Sequence, residues 1–137
     1  MLDLILCVDD DPITLMLCKM VLSRSDFAKE IITAQNGEEA LNYFDDLKLN
    51  NLGNEINKYP LLIFLDLNMP VMGGWEFLDH FSQEEYRTQF KDCKVIVLSS
   101  TIDPDDINKA KTYPMVLDFL SKPISKEMLE DLKMILA

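Results

Sequence analysis

The sequence predicts an α/β fold in which one parallel sheet of five strands is covered by helices on both faces. Two observations carry that expectation. Short apolar runs rich in β-branched residues alternate with segments of helical period along the chain. The third and fourth runs, Leu61 to Leu65 and Val95 to Ser99, are apolar at successive positions, the pattern of strands buried on both sides. A third observation concerns function as well as fold. Carboxylates stand where two runs end, Asp9-Asp10-Asp11 after the first and Asp66 after the third. In open α/β sheets the carboxyl ends of strands are where ligands and chemistry collect. With 137 residues, the chain 1–137 is one domain with room for a hydrophobic core.

The first strand is expected near Leu4 to Val8. Asp11-Pro12 then suits the cap and first turn of a helix, because an aspartate accepts from free N–H groups and a proline lacks one. Ile13, Met16, Leu17, Met20 and Val21 follow at the i, i+3, i+4, i+7, i+8 spacing of a core stripe, with the methionines as filler. A second strand is expected at Glu30 to Ala34. The stretch 49–60 has turn composition and no period, and reads as an extended connection to the central strand. Near Pro104 to Thr112 only Ile107 and Ala110 interrupt a polar run, so the fourth helix is either a short surface helix or a mobile functional surface. Val116 to Leu120 forms the fifth strand. Met128, Leu129, Leu132, Ile135 and Leu136 give the fifth and last helix its apolar stripe.

Composition excludes several classes. A formal net charge of -11 disfavours nucleic acid and anionic membrane surfaces as partners. No stretch approaches the roughly 20 apolar residues of a membrane span, and the amino terminus lacks a basic region, so a cytoplasmic protein is expected. Cys7, Cys18 and Cys93 are scattered and odd in number, which fits reduced packing residues rather than bridges or zinc ligands.

The strand ends hold the chemistry. If the first and third strands are neighbours, Asp9, Asp10 and Asp66 meet, and like charges about 4 Å apart repel by roughly 4 kcal/mol at an effective dielectric near 20. Such a cluster calls for a shared proton or a hard divalent cation, for which Mg²⁺ is the economical choice. The fourth strand delivers the hydroxyls of Ser99-Ser100-Thr101 to the same edge, and the fifth delivers Lys122. An oxygen nucleophile, a metal site, a hydroxyl and an ammonium together make a kit for phosphoryl transfer. Taken singly, each has a plainer reading: Asp9 to Asp11 and Ser99 as helix caps, Lys122 as a solvated charge.

Four ordered motifs turn the kit into a resemblance that spans essentially the whole chain. Val8-Asp9-Asp10-Asp11-Pro12, Asp66-Leu67-Asn68-Met69-Pro70-Val71-Met72-Gly73-Gly74, Leu98-Ser99-Ser100 and Phe119-Leu120-Ser121-Lys122-Pro123 resemble the signatures of CheY-like response-regulator receiver domains of two-component signalling. The resemblance implies a flavodoxin-like (βα)5 three-layer sandwich with strand order 2-1-3-4-5. It implies Asp66 as phosphoacceptor, and Mg²⁺ held by Asp10 and Asp66 directly, by Asp9 through water and by the backbone carbonyl of Asn68. Ser99 and Lys122 would contact phosphoryl oxygens, Ser99 and Phe119 would form the switch, Gly74 would serve a tight loop, and the bond before Pro123 would be cis. The implied protein is no enzyme in its own right but a phosphoacceptor. A sensor histidine kinase or phosphotransfer protein would charge it, and a protein effector would read it through the fourth helix, fifth strand and fifth helix. Such a receiver would be a monomer or a weak phosphorylation-dependent dimer, and one ending at Ala137 would stand alone.

The chain departs from the family pattern in places. Gly73 stands where an Asp is common, Phe119 where many members carry Tyr, and Pro114-Met115 where Ala-Gly is usual. Two other classes compete. A haloacid-dehalogenase-like phosphatase also uses a strand-end Asp with a hydroxyl, a lysine and Mg²⁺, but its nucleophile lies early in the chain and is followed two residues on by Asp, where position 68 is Asn. A receiver-like interaction module that is never phosphorylated has no need of Asp9, Asp10, Asp66, Ser99 and Lys122 together. His80, the single histidine, falls in a helix away from the strand ends, and Trp75 beside Gly74 reads as packing.

Overall fold

The computed structural model describes residues 2–51 and 58–136. Among them five strands alternate with helices: β1 Leu2–Val8, α1 Pro12–Arg24, β2 Ala28–Ala34, α2 Gly37–Asn50, β3 Leu62–Asp66, α3 Gly74–Phe81, α4 Glu84–Gln89, β4 Lys94–Ser99, α5 Pro104–Ala110, β5 Val116–Ser121 and α6 Lys126–Leu136. The strands pair in parallel in the order β2-β1-β3-β4-β5. That is the flavodoxin-like order expected from the motifs. Chain progression reverses between β1 and β3, so a crevice opens at their carboxyl ends.

Alternation along the central strands divides the core in two. Leu6, Val8, Ile63, Leu65, Val95 and Val97 pack on one face with Phe44 of α2 and Phe77 and Phe81 of α3. Ile5, Cys7, Leu62, Phe64, Ile96 and Leu98 pack on the other with Leu15, Cys18 and Leu22 of α1 and Leu129 and Leu132 of α6. Both β3 and β4 are buried nearly throughout, as their unbroken apolar runs require. Cys7, Cys18 and Cys93 are buried free thiols.

Of the stripe expected on α1 only Val21 packs against the core, and the other four positions are wrong. Ile13 is 64 % exposed, Met16 53 %, Leu17 44 % and Met20 39 %, whereas Leu15, Cys18 and Leu22 face the sheet. Apolar side chains ring this helix, so two stripes have helical spacing and periodicity alone cannot choose between them. Asp11 caps the helix by accepting from Ile13 N–H at 2.9 Å and Thr14 Oγ1 at 3.1 Å, and the inner face is the one that packs on the sheet and on α6. Met16 and Met20 are therefore surface residues and not filler. In α6, Leu129 and Leu132 are buried and Met128 and Leu136 pack beside them, but Ile135 is exposed because it faces away from the core.

Two further differences concern helices. A sixth helix, α4, carries only Tyr86 inward and is too short to show a period in the sequence. Helix α2 continues through Asn50, so the start of the expected 49–60 connection is helical, while 52–57 lies outside the described residues. No helix among the described residues is long and apolar enough to cross a membrane.

Candidate functional site

The carboxyl ends of four strands, β1, β3, β4 and β5, converge in the crevice. Asp66 is the last residue of β3, and Asp9 follows β1 with its N–H donating to Ala34 O of β2 at 3.0 Å. Ligand oxygens of Asp9, Asp10 and Asp66 all lie within 4.8 Å of one another. Asp9 and Asp66 are buried and Asp10 is exposed, so the cluster is open on one side. Three carboxylates at this spacing, one of them facing solvent, match the oxygen-rich, partly hydrated site that Mg²⁺ favours. The donor set fits the ion that the motifs imply.

Lys122 compensates part of that charge. Its Nζ lies 2.5 Å from Asp9 Oδ2 and 3.3 Å from Asp66 Oδ1. A backbone bond holds it there, Lys122 N–H donating to Ser99 O at 2.8 Å; the Lys122–Pro123 bond is cis, as the resemblance implied. Burial pushes the Asp66 carboxyl above its ordinary range and the negative Asp9 adds to this, with Lys122 pulling back. Burial disfavours the charged form of Lys122, but Asp9 and Asp66 outweigh it and its ammonium binds its proton more tightly than usual. Ser99, at the end of β4, is also buried, and its hydroxyl oxygen accepts from Thr101 N–H at 3.2 Å.

The loop after Asp66 is tightly fitted. Gly74 N–H donates to Leu67 O at 2.9 Å, and a Cβ on Gly74 would stand 2.5 Å from Asp66 O. Only glycine permits this approach. Val71 has φ 69°, a left-handed conformation costly for a β-branched residue, and its side chain is exposed. Nothing in the sequence announces that strain, since valine is a poor residue for the position.

Every strand-end residue singled out from the sequence reaches this edge of the sheet. Phe119 does not sit in the crevice: it is half-buried on β5, packs against the first core cluster and lines a groove of 290 Å³ with Ile107, Ala110, Lys111, Leu117 and Asp118. Asp11 caps α1 only. A cluster the sequence reading passed over joins α3 to α5, where Trp75 stacks on Tyr113, Lys109 covers the Trp75 ring, and Tyr113 bonds Asp79. The spacing of Trp75 and Asp79, one helical turn apart, was the available signal.

Residues 5–133 match the response regulator receiver domain. The chain belongs to that family. A probable methanogenesis regulatory protein, FilR2, of Methanothrix harundinacea is 31% identical over 130 residues, covering 95% of this chain and 76% of that protein. Hybrid signal transduction histidine kinase C of Dictyostelium discoideum is 30% identical over 129 residues, and there this chain spans only 9% of the protein. Among solved structures, a two-component response regulator from Cytophaga hutchinsonii superposes with a TM-score of 0.84 at 30% identity, covering 98% of this chain and 96% of that one. A response regulator from Legionella pneumophila gives 0.75 at 26% identity, covering 99% and 98%. Receiver domains are signalling modules that act with histidine kinases and downstream effectors.

Proposed function

We propose that this receiver domain is a Mg²⁺-dependent phosphoacceptor that carries a phosphoryl group on Asp66 and changes its binding partners accordingly. The observation that supports this most is the placement of Lys122, which bridges Asp9 and Asp66 beside the buried Ser99 hydroxyl. An Asp66 carboxylate oxygen attacks phosphorus in line, and the bond to the donor's nitrogen or oxygen breaks with its electron pair leaving on the donor. The Lys122 ammonium turns from Asp66 to a phosphoryl oxygen, and the Ser99 hydroxyl donates to another. Mg²⁺ held by Asp10, Asp66 and the Asn68 carbonyl, with Asp9 acting through water, would neutralise charge that builds on the carboxylate and phosphoryl oxygens.

Movement of Ser99 toward the phosphoryl group opens space on the β4 side of Phe119. The ring then turns inward and the face made by α5, β5 and α6 changes, a population shift whose size follows the differential contacts of the two states. The groove lined by Ile107 and Phe119 is where an effector would register it. The phosphodonor, a sensor histidine kinase or phosphotransfer protein, approaches over α1. Ile13, Met16, Leu17 and Met20 begin two residues after the acid cluster ends at Asp11, and a donor reaching Asp66 would cover them.

Incubation with acetyl phosphate and Mg²⁺ should add one phosphoryl group by intact mass, and Asp66→Asn should gain none. An unmodified wild type, or a modified Asp66→Asn, would refute the assignment.

A further inference from the structure

We propose that Lys109, Trp75 and Tyr113 form a clasp that holds α5 against α3 and sets how readily the domain leaves its resting state. The proposal rests on the reading of Asp66 as phosphoacceptor and goes beyond it. Helix α5 has seven residues, of which only Ala110 is buried, so core packing does little to fix it. It is fixed instead at its carboxyl end. Lys109 Nζ stands 4.6 Å above the Trp75 ring. Tyr113, three residues past the helix, stacks on the same ring with centroids 6.0 Å apart and planes 20° apart. Its hydroxyl donates to Asp79 Oδ1 at 2.5 Å. Helix α3 therefore offers two footings one turn apart, and the segment leaving α5 grips both.

Position in the chain makes the clasp a control element. Trp75 directly follows Gly74, whose N–H is bonded to Leu67 and where even a Cβ would collide with the Asp66 carbonyl, so the α3 side is held closely to the acceptor loop. The other side leads back through α5 and Asp103 to Ser99. If Ser99 to Thr101 shift toward a phosphoryl group, α5 follows only when the clasp slides or opens. Clasp energy therefore opposes the phosphorylated state. By linkage, loosening the clasp strengthens binding of a phosphoryl mimic by the factor that mimic binding loosens the clasp. Burial and the neighbouring Asp79 push the Tyr113 phenol up to about 12, so it remains a hydrogen-bond donor across neutral pH.

Beryllofluoride titration with Mg²⁺ tests the idea, with binding read by ¹⁹F NMR and the clasp by emission of Trp75, the only tryptophan. Wild type should bind, lose that binding on Asp66→Asn, and change its Trp75 emission. A cation over a partly exposed ring such as Trp75 is worth a factor of at least roughly two to five, so Lys109→Ala should tighten beryllofluoride binding by about that much. Lys109→Arg, which keeps the cation, should return to wild-type affinity, and Tyr113→Phe should tighten binding while retaining the far-UV spectrum. Unchanged or weakened binding in both Lys109→Ala and Tyr113→Phe, with wild type binding normally, overturns the clasp and spares the acceptor reading. No binding by wild type, or binding that survives Asp66→Asn, overturns both.

Discussion

Replacing Lys122 with methionine should expose how much of this domain's stability depends on charge compensation in the crevice. The three side chains concerned are mostly enclosed, with exposures of 18% for Lys122, 7% for Asp9 and 8% for Asp66. At an effective dielectric near 20, the 3.3 Å contact between Lys122 and Asp66 corresponds to about 5 kcal/mol of attraction. Asp9 and Asp66 oxygens within 4.8 Å of each other correspond to about 3.5 kcal/mol of repulsion. The desolvation cost of all three charges offsets most of that attraction in the wild type. Loss of the cation alone leaves the repulsion and the desolvated carboxylates, for which about 3 kcal/mol is the expected net loss. The pH dependence follows from Asp66, whose carboxyl is already raised by burial and by Asp9. A carboxyl raised in the folded state binds more protons there than in the unfolded chain. Stability therefore falls as pH climbs from the ordinary carboxylate range through the raised value, and the penalty is complete above it. Without Lys122 that penalty grows, so the gap between variant and wild type should be widest at pH 7 to 8 and narrow toward pH 4. Urea unfolding in EDTA at neutral pH should show a midpoint lower by roughly 1–3 M. Saturating Mg²⁺ should recover much of the loss, since ligand at about 100 times its dissociation constant contributes about 2.7 kcal/mol. A variant as stable as wild type in EDTA, or one whose deficit ignores both acid and Mg²⁺, would refute the idea of a charge-balanced crevice.

Five other substitutions probe the surroundings of the site and the packing of α1. Gly74→Ala places a Cβ 2.5 Å from Asp66 O and 2.9 Å from Leu67 Cα, both backbone atoms, and should cost about 1–3 kcal/mol in unfolding free energy while slowing phosphorylation by acetyl phosphate; wild-type stability would mean that the loop yields freely. Val71→Asn relieves the left-handed strain at φ 69° and should gain about 1 kcal/mol, read as a melting temperature a few degrees higher; no gain would show that the valine conformation carries no strain. In α1, Met16→Ser and Met20→Ser should each stay within about 0.5 kcal/mol of wild type, whereas Leu22→Ala should lose about 2–5 kcal/mol; the reverse ranking would restore the stripe predicted from spacing.

That last contrast marks where the sequence was legible and where it was not. β3 and β4 could be read because a strand enclosed on both faces has few alternatives to an unbroken apolar run, and their ends located Asp66 and Ser99. Asp9, Asp10 and Lys122 could be placed because short connections leave strand-end residues little freedom to wander. Helix α1 was misread because its sequence carries more apolar residues than the sheet can cover, so spacing identified a helix without identifying its inner face. Helix α4 escaped because its six residues are under two turns, and Val71 because sterically disfavoured conformations leave no positive mark in a sequence. The clasp of Trp75, Tyr113 and Lys109 was hidden for another reason. Its members are up to 38 positions apart, and they meet only because α3 and α5 lie side by side in the folded chain.

The surplus apolar surface on α1 and the shortage of apolar anchors on α5 make opposite demands on the fold. The buried side of α1, with Leu15, Cys18 and Leu22, suffices to hold it on the sheet, so its four exposed apolar residues contribute little to folding and remain available to a partner. Helix α5 has one buried residue and depends on polar and aromatic contacts at its end, each worth about 1 kcal/mol. A surface meant to recognise a partner in one fixed form gains from a rigid base, while a surface meant to report a chemical event gains from a weak one. The first adjoins the acid cluster through Asp11 and the second adjoins Ser99 through Asp103, so on the proposed reading a phosphodonor would enter on the β1 side of Asp66 and the readout would lie on the β4 side. Stiffening α5 should therefore damp the response without blocking phosphorylation, and roughening α1 should block transfer from a protein donor without changing the response to beryllofluoride. Paired assays with acetyl phosphate and a protein phosphodonor would separate the two, and a variant of either helix that moved both readouts equally would break the division.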